Sequence, residues 1–155
     1  MYQRDFMQQA IDQAKMNLTT NEGGPFGCVI VKDGREIAAA HNRVLAGHDA
    51  TAHGEVEAIR AAGAQLGTHD LSGCELYTSA MPCPMCLSAI IWANIQVVYY
   101  GNSAQDAAAI GFRDAAIYDF IDHGLQGDTL TLSQHDRELT LPTFEAYAAQ
   151  SKQLY

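Results

Sequence analysis

Positive charge is scarce in this sequence: nine Lys and Arg stand against 18 Asp and Glu among 155 residues, a formal charge of −9. Phosphate binding depends on Lys and Arg, so the balance argues against a nucleic acid as the main partner. No run of eighteen apolar residues occurs, so no membrane-spanning helix is expected. The opening Met1-Tyr2-Gln3-Arg4-Asp5-Phe6 lacks the apolar stretch of a secretory signal, and a cytoplasmic location is expected. Internal repeats, low-complexity tracts and Pro/Gly/Ser linkers are absent too, so residues 1–155 read as one domain. There are only four cysteines, Cys28, Cys74, Cys83 and Cys86. In a reducing compartment an even count is weak support for disulfides. A chain of this length buries about two-thirds of its unfolded surface and needs no such staple. What is present, 48% hydrophobic and 17% charged residues, is the composition of a folded globular protein and not of a disordered one.

Apolar positions Phe6, Ala10, Ile11, Ala14 and Leu18 recur at helical spacing and predict a first helix, ended by Gly23-Gly24-Pro25. The apolar run Phe26–Val31, with β-branched residues, and its continuation Glu36–Ala40 flank Asp33-Gly34, a hairpin signal because a type I′ turn needs positive φ at both central residues. Residues 42–51 read as a loop, with Asp49 or Thr51 capping a second helix whose inward stripe is Val56, Ile59, Gly63 and Leu66. Strands are expected at Leu76–Ser79 and Ile95–Tyr100, joined by a helix over Met85–Ala93 that Pro84 can open. That strand–helix–strand unit should be a right-handed parallel crossover. A looser helical stretch covers 104–122, a short strand Leu130–Leu132, and a last helix Thr143–Lys152. Five strands and flanking helices make a mixed-sheet α/β sandwich. Cys28 and Cys74 lie in or beside strand-like runs and are expected in its core.

Cys83 and Cys86 need another account. They share one face of a helix N-terminus, where the partial positive charge favours thiolates. His53, at the start of another helix, can add a neutral nitrogen ligand. Three protein ligands leave a tetrahedral Zn2+ one open position, the pattern of a catalytic site. Glu55, two residues from His53, is free to take a proton from a water and return it to a substrate. A redox pair would want thioredoxin-like surroundings, and a structural zinc knuckle a fourth Cys or His nearby; neither is present. Glu57, with Arg60 three residues on, reads as half of a solvated helix pair. The other histidines, His41, His48, His69, His123 and His135, show no paired ligand spacing and read as loop or surface residues.

His53-x-Glu55 followed by Pro82-Cys83-x-x-Cys86 is the signature of zinc nucleobase deaminases. The chain resembles the cytidine-deaminase superfamily, and within it the bacterial guanine deaminases. Gly23-Gly24-Pro25-Phe26-Gly27 and Val29–Gly34 are similar to the family's opening strand and turn, Asn42-x-Val44 to its substrate loop, and Thr51-Ala52-His53-x-Glu55 to its proton-shuttle helix. Pro82–Ala93 is similar to the second zinc segment, and Ala109-x-Gly111-Phe112-x-Asp114 with Tyr155 to the guanine-deaminase branch. Two positions depart from the pattern: Gly54 replaces an Ala, and Met81 replaces a Glu before Pro82.

The resemblance implies a three-layer α-β-α sandwich around a five-stranded mixed sheet. It implies one Zn2+ per subunit and hydrolytic deamination of a free purine base, guanine to xanthine and ammonia. Glu55 would carry protons, and backbone N–H groups near Cys83 would face the developing oxyanion. Asn42 can offer a donor and an acceptor to a base edge, and Phe26 and Trp92 are candidate walls. Ala52, Asp114 and Tyr155 are added as base contacts by the resemblance alone. It further implies a homodimer with exchanged C-terminal segments, acting on a small nucleobase and water without nucleic acid or membrane. Other small heterocycles or nucleosides stay open as substrates: guanosine, isoguanine-like purines, aminopyrimidines and triazines. A tRNA adenosine deaminase is disfavoured by the scatter of Lys15, Lys32, Arg35, Arg43, Arg60 and Arg113. A zinc-binding protein without turnover is the last alternative.

Overall fold

The computed structural model describes residues 1–155, and its first two strands form on either side of the Asp-Gly dipeptide. Asp33 and Gly34 take φ of 51° and 72°, joining β1 (Gly27–Lys32) to an antiparallel β2 (Arg35–His41). On its other side β1 pairs antiparallel with β3 (Cys74–Ala80), which pairs parallel with β4 (Val97–Asn102). The sheet order is β2-β1-β3-β4.

Helices cover both faces. Val29 and Val31 of β1 and Tyr77 of β3 pack with Phe6, Met7 and Ala10 of α1 (Arg4–Met16). The alternate residues Cys28 and Ile30 pack with Ala58 and Ala62 of α3 (Gly54–Leu66) and Ile90 of α4 (Pro84–Trp92). A strand buried on both sides reads as an unbroken apolar run, which is why β1 carries no polar alternation. Cys28 and Cys74 are in the core as expected, 0% and 2% exposed, and unpaired.

The sheet has four strands, not the expected five. Leu130-Thr131-Leu132 forms no strand, and its two leucines are 54% and 60% exposed. A strand exists through its ladder, and a three-residue alternation carries a local pattern without a partner. Other differences are smaller. The 42–51 loop contains a one-turn α2 (Val44–Gly47). The 104–122 stretch is two helices, α5 (Ala104–Ala109) and α6 (Asp114–Asp122), separated at Gly111 with φ 97°. The last helix, α7 (Arg137–Ala148), begins before Pro142 rather than after it. Neither Asp49 nor Thr51 caps α3; the Asp49 carboxylate instead accepts from Thr51 N and Oγ1 at 2.8 and 2.7 Å.

The chain divides into two compact units, Met1–Tyr118 and Asp119–Tyr155. The first holds the sheet. No residue of the second is buried. No helix is long and apolar enough to cross a membrane.

Candidate active site

Two helix N-termini supply the metal donors. His53 is the N-cap residue of α3 and Cys83 that of α4, where Pro84 opens the helix and Cys86 follows in its first turn. Both positive helix ends therefore lie where thiolate charge develops. His53 Nδ1 is 3.6 Å from Cys83 Sγ and 3.5 Å from Cys86 Sγ. The three donor atoms lie within 4.8 Å of one another. Tetrahedral zinc, with Zn–S near 2.3 Å and Zn–N near 2.05 Å, sets nitrogen–sulfur separations of about 3.6 Å, so the spacing fits.

Charge fits as well. The Cys83 thiol is held down, to about 4, chiefly by the hydrogen bond from Cys86 and further by His53. Cys86 is pushed up, first by its bond to the ionised Cys83 and then by burial. His53 is raised by its contact with Cys83. Cys86 is therefore the harder of the two to ionise beside Cys83, and a dication is what makes a second thiolate favourable. His53, Cys83 and Cys86 are a site for one zinc ion.

Glu55 stands in the first turn of α3, 6% exposed. Burial raises its pKa, and the Cys83 charge adds to that. Its Oε1 lies 3.1 Å from the hydroxyl of Thr78, which is also 3.1 Å from Ala80 O. The single hydroxyl proton serves one oxygen at a time. Thr78 can donate to an ionised Glu55, or donate to Ala80 O and accept from a protonated one. A carboxyl so placed is suited to carrying a proton both ways.

Glu55, His53 and Cys83 open on a cavity of about 430 Å³, whose wall also includes Phe26, Asn42 and Asp114. Phe26 meets Phe112 edge to face, with centroids 4.7 Å apart. A Cβ on Gly24 would stand 2.8 Å from the Phe112 ring, and one on Gly23 would stand 2.0 Å from Asn42 Oδ1. The glycine pair is what lets backbone, rings and amide close to this distance. Asn42 Oδ1 accepts from the N–H groups of Gly24 (3.3 Å) and Val44 (3.1 Å). Its carbonyl is thus occupied by backbone, and the NH2 is the half left for a ligand. Asp114 opens α6, and burial, then the Cys83 charge, raises its pKa.

The remaining sequence candidates lie elsewhere. Ala52 is buried, 4% exposed, and precedes His53 without lining the cavity. Trp92 ends α4 at 63% exposure, also outside the lining. Tyr155 belongs to the second unit and is 82% exposed. Sequence reasoning passed over Thr78, Phe112 as a ring wall, Arg113 and Tyr118. Arg113 lines the cavity, and Tyr118 Oη donates to Pro82 O at 2.6 Å, tying α6 to the second zinc segment. β3 carries three hydroxyls in a row, Tyr77, Thr78 and Ser79, so no local signal singles out Thr78. Glu57 pairs with Arg60 Nη1 at 2.7 Å, as its spacing suggested.

Residues 1–102 match the family described as "Cytidine and deoxycytidylate deaminase zinc-binding region". Over 147 residues the chain is 44% identical to the guanine deaminase of Bacillus subtilis, covering 95% of this chain and 94% of that protein. The X-ray structure of guanine deaminase from Bacillus subtilis superposes with a TM-score of 0.91 at 40% identity, over 100% of this chain and 99% of that one. The tRNA-specific adenosine deaminase of Agrobacterium fabrum is 44% identical over 101 residues, 65% of this chain and 64% of the other. The histidine and two cysteines that the fold gathers all lie inside the matched region, and the chain belongs to the cytidine and deoxycytidylate deaminase family of zinc-dependent hydrolases.

Proposed function

We propose that the protein hydrolyses guanine to xanthine and ammonia. The observation that carries this reading is the extent of the likeness. Similarity to a guanine deaminase runs over 95% of the chain, whereas similarity to the tRNA-specific enzyme covers 65%. The deficit of Lys and Arg supports the small substrate over the polyanion.

Zinc held by His53, Cys83 and Cys86 would supply the acidity that turns water into a nucleophile near neutral pH. The chain's own groups do the rest. Glu55 accepts a proton from the water as its oxygen bonds to C2 of the base, and passes that proton to the adjacent ring nitrogen. A second transfer through Glu55 protonates the exocyclic amine while the C–N bond breaks, so ammonia leaves and a carbonyl remains at C2. Thr78 accommodates both protonation states of that carboxyl. The Asn42 NH2 donates to an acceptor on the base edge, and Phe26 covers a ring face. Asp114 accepts from a ring N–H, supported by its place in the cavity wall. Ala52 and Trp92 contribute through the resemblance only.

Residues 1–155 work as one deaminase, and the functional particle is a homodimer that exchanges its C-terminal segments and brings Tyr155 to a site. Supporting this, Leu139, Phe144 and Leu154 of the C-terminal unit are large apolar side chains left 72%, 77% and 78% exposed, and a partner chain would take them out of water. Ammonia release by zinc-loaded protein from guanine, guanosine, cytosine and adenine, side by side, tests the substrate. Turnover of guanine alone is expected; no turnover of any would sink the enzyme reading. Turnover of a tRNA adenosine, run as a fifth substrate, with none of guanine would move the chain to the other branch.

A further inference from the structure

His41 takes no part in the chemistry above, and its sequence surroundings suggested a loop or surface position. The structure puts it at the end of β2, directly before Asn42, with a side chain only 11% exposed. Both ring nitrogens have oxygen partners: Gln13 Oε1 of α1 lies 3.2 Å from Nδ1, and the Glu22 carboxylate meets Nε2. Glu22 reaches further. Its carbonyl accepts from Leu45 N at 2.9 Å and Ala46 N at 3.0 Å, the residues that follow Val44 in α2. Asn17, just past α1, donates from Nδ2 to Gly24 O at 2.7 Å and to Asn42 O at 2.8 Å. The segment Glu22–Gly24 is thereby tied to the end of α1, the end of β2 and to α2, all within the unit Met1–Tyr118. None of these bonds involves a metal donor.

We infer that Asn17, Glu22 and His41 are positioning residues for the base pocket: they hold the Gly23-Gly24 wall and the Asn42 side chain in their binding geometry before substrate arrives. The inference rests on the reading of Asn42 as a contact to the base. Its physical ground is entropic. Two adjacent glycines are the most costly residues to order, yet here no side chain can replace them, because a Cβ would strike Asn42 or the Phe112 ring. Order must come from neighbours, and a wall ordered in advance leaves more of the binding energy for the base. The hydrogen bond from His41 holds the Glu22 carboxyl below the usual carboxylate range, so the tie includes a charge-assisted bond.

The test compares wild type, His41→Ala, Glu22→Gln, Asn42→Ala and the His41→Ala/Asn42→Ala double variant, all zinc-loaded. Losing a bond to a charged group should raise KM for guanine about tenfold in His41→Ala, with kcat within about twofold. Glu22→Gln, which keeps an acceptor, should show a smaller rise. The double variant should bind no worse than Asn42→Ala alone, because both changes remove the same interaction. Zinc content should stay at one per chain, and the amides of Leu45 and Ala46 should exchange faster in His41→Ala. Unchanged KM and exchange, additive losses in the double variant, or parallel loss of zinc and melting temperature would overturn the inference. If wild type releases no ammonia from guanine, the guanine assignment fails by itself, while amide exchange in His41→Ala and Glu22→Gln still decides whether the ties exist.

Discussion

Glu55 and Glu57 are chemically identical, two residues apart on one helix, and placed in opposite environments. Glu57 reaches Arg60 at the surface, while Glu55 points into a buried site beside two sulfurs. Glu55→Gln keeps the volume and removes the proton carrier. Turnover should fall about 10²–10⁴-fold while zinc stays at one per chain; a variant of wild-type activity would end the proton-shuttle assignment. Thr78→Val keeps the shape and deletes the hydroxyl that follows Glu55 through both protonation states. A fall in kcat of about tenfold, with KM little changed, is expected from steady-state kinetics. Glu55 was legible because its distance from His53 is local and the His-x-Glu spacing is specific. Thr78 was not, since its partner comes from another element.

At the scale of elements, the hairpin and the β3–α4–β4 crossover followed from patterns a few residues long: Asp-Gly for the turn, Pro84 for the helix start. The failed strand at 130–132 had an equally local pattern and no ladder to join. Helix ends show the same division. His53 is an N-cap without a side-chain cap bond, because its ring is turned to the two cysteines. Function there displaces the Asp or Thr expected to cap. Ser103 has no such duty: it and Asp106 form a complete capping box at α5, with Ser103 Oγ accepting from Asp106 N at 3.2 Å. Ser103→Ala should destabilise the fold by about 1 kcal/mol in urea titration and leave KM unchanged, α5 lying outside the cavity wall. A change in KM would mean that α5 steers the site.

For the whole molecule, the C-terminal unit Asp119–Tyr155 stands apart in having no buried residue. Residues 151–155 are exposed throughout, so removing them deletes little packing. If the homodimer reading holds, the deletion should cut kcat/KM at least tenfold, about 1.4 kcal/mol, while the melting temperature moves by only a few degrees. Equal losses of activity and stability would count against a site role for Tyr155.

Taken alone, the sequence determined the metal donors and the core cysteines and pointed to Glu55 as the proposed proton carrier, because ligand type, ligand spacing and apolar runs are properties of short stretches of chain. It also carried the sign of the molecule, a formal charge of −9. Only the tertiary structure decided the strand count, the donor half of Asn42, the pairing of Glu55 with Thr78, and the ties from His41 and Glu22 to the glycine wall. Each of those depends on which side chain a distant segment brings within hydrogen-bonding distance. That is set by how the sheet and helices pack, and no local spacing records it.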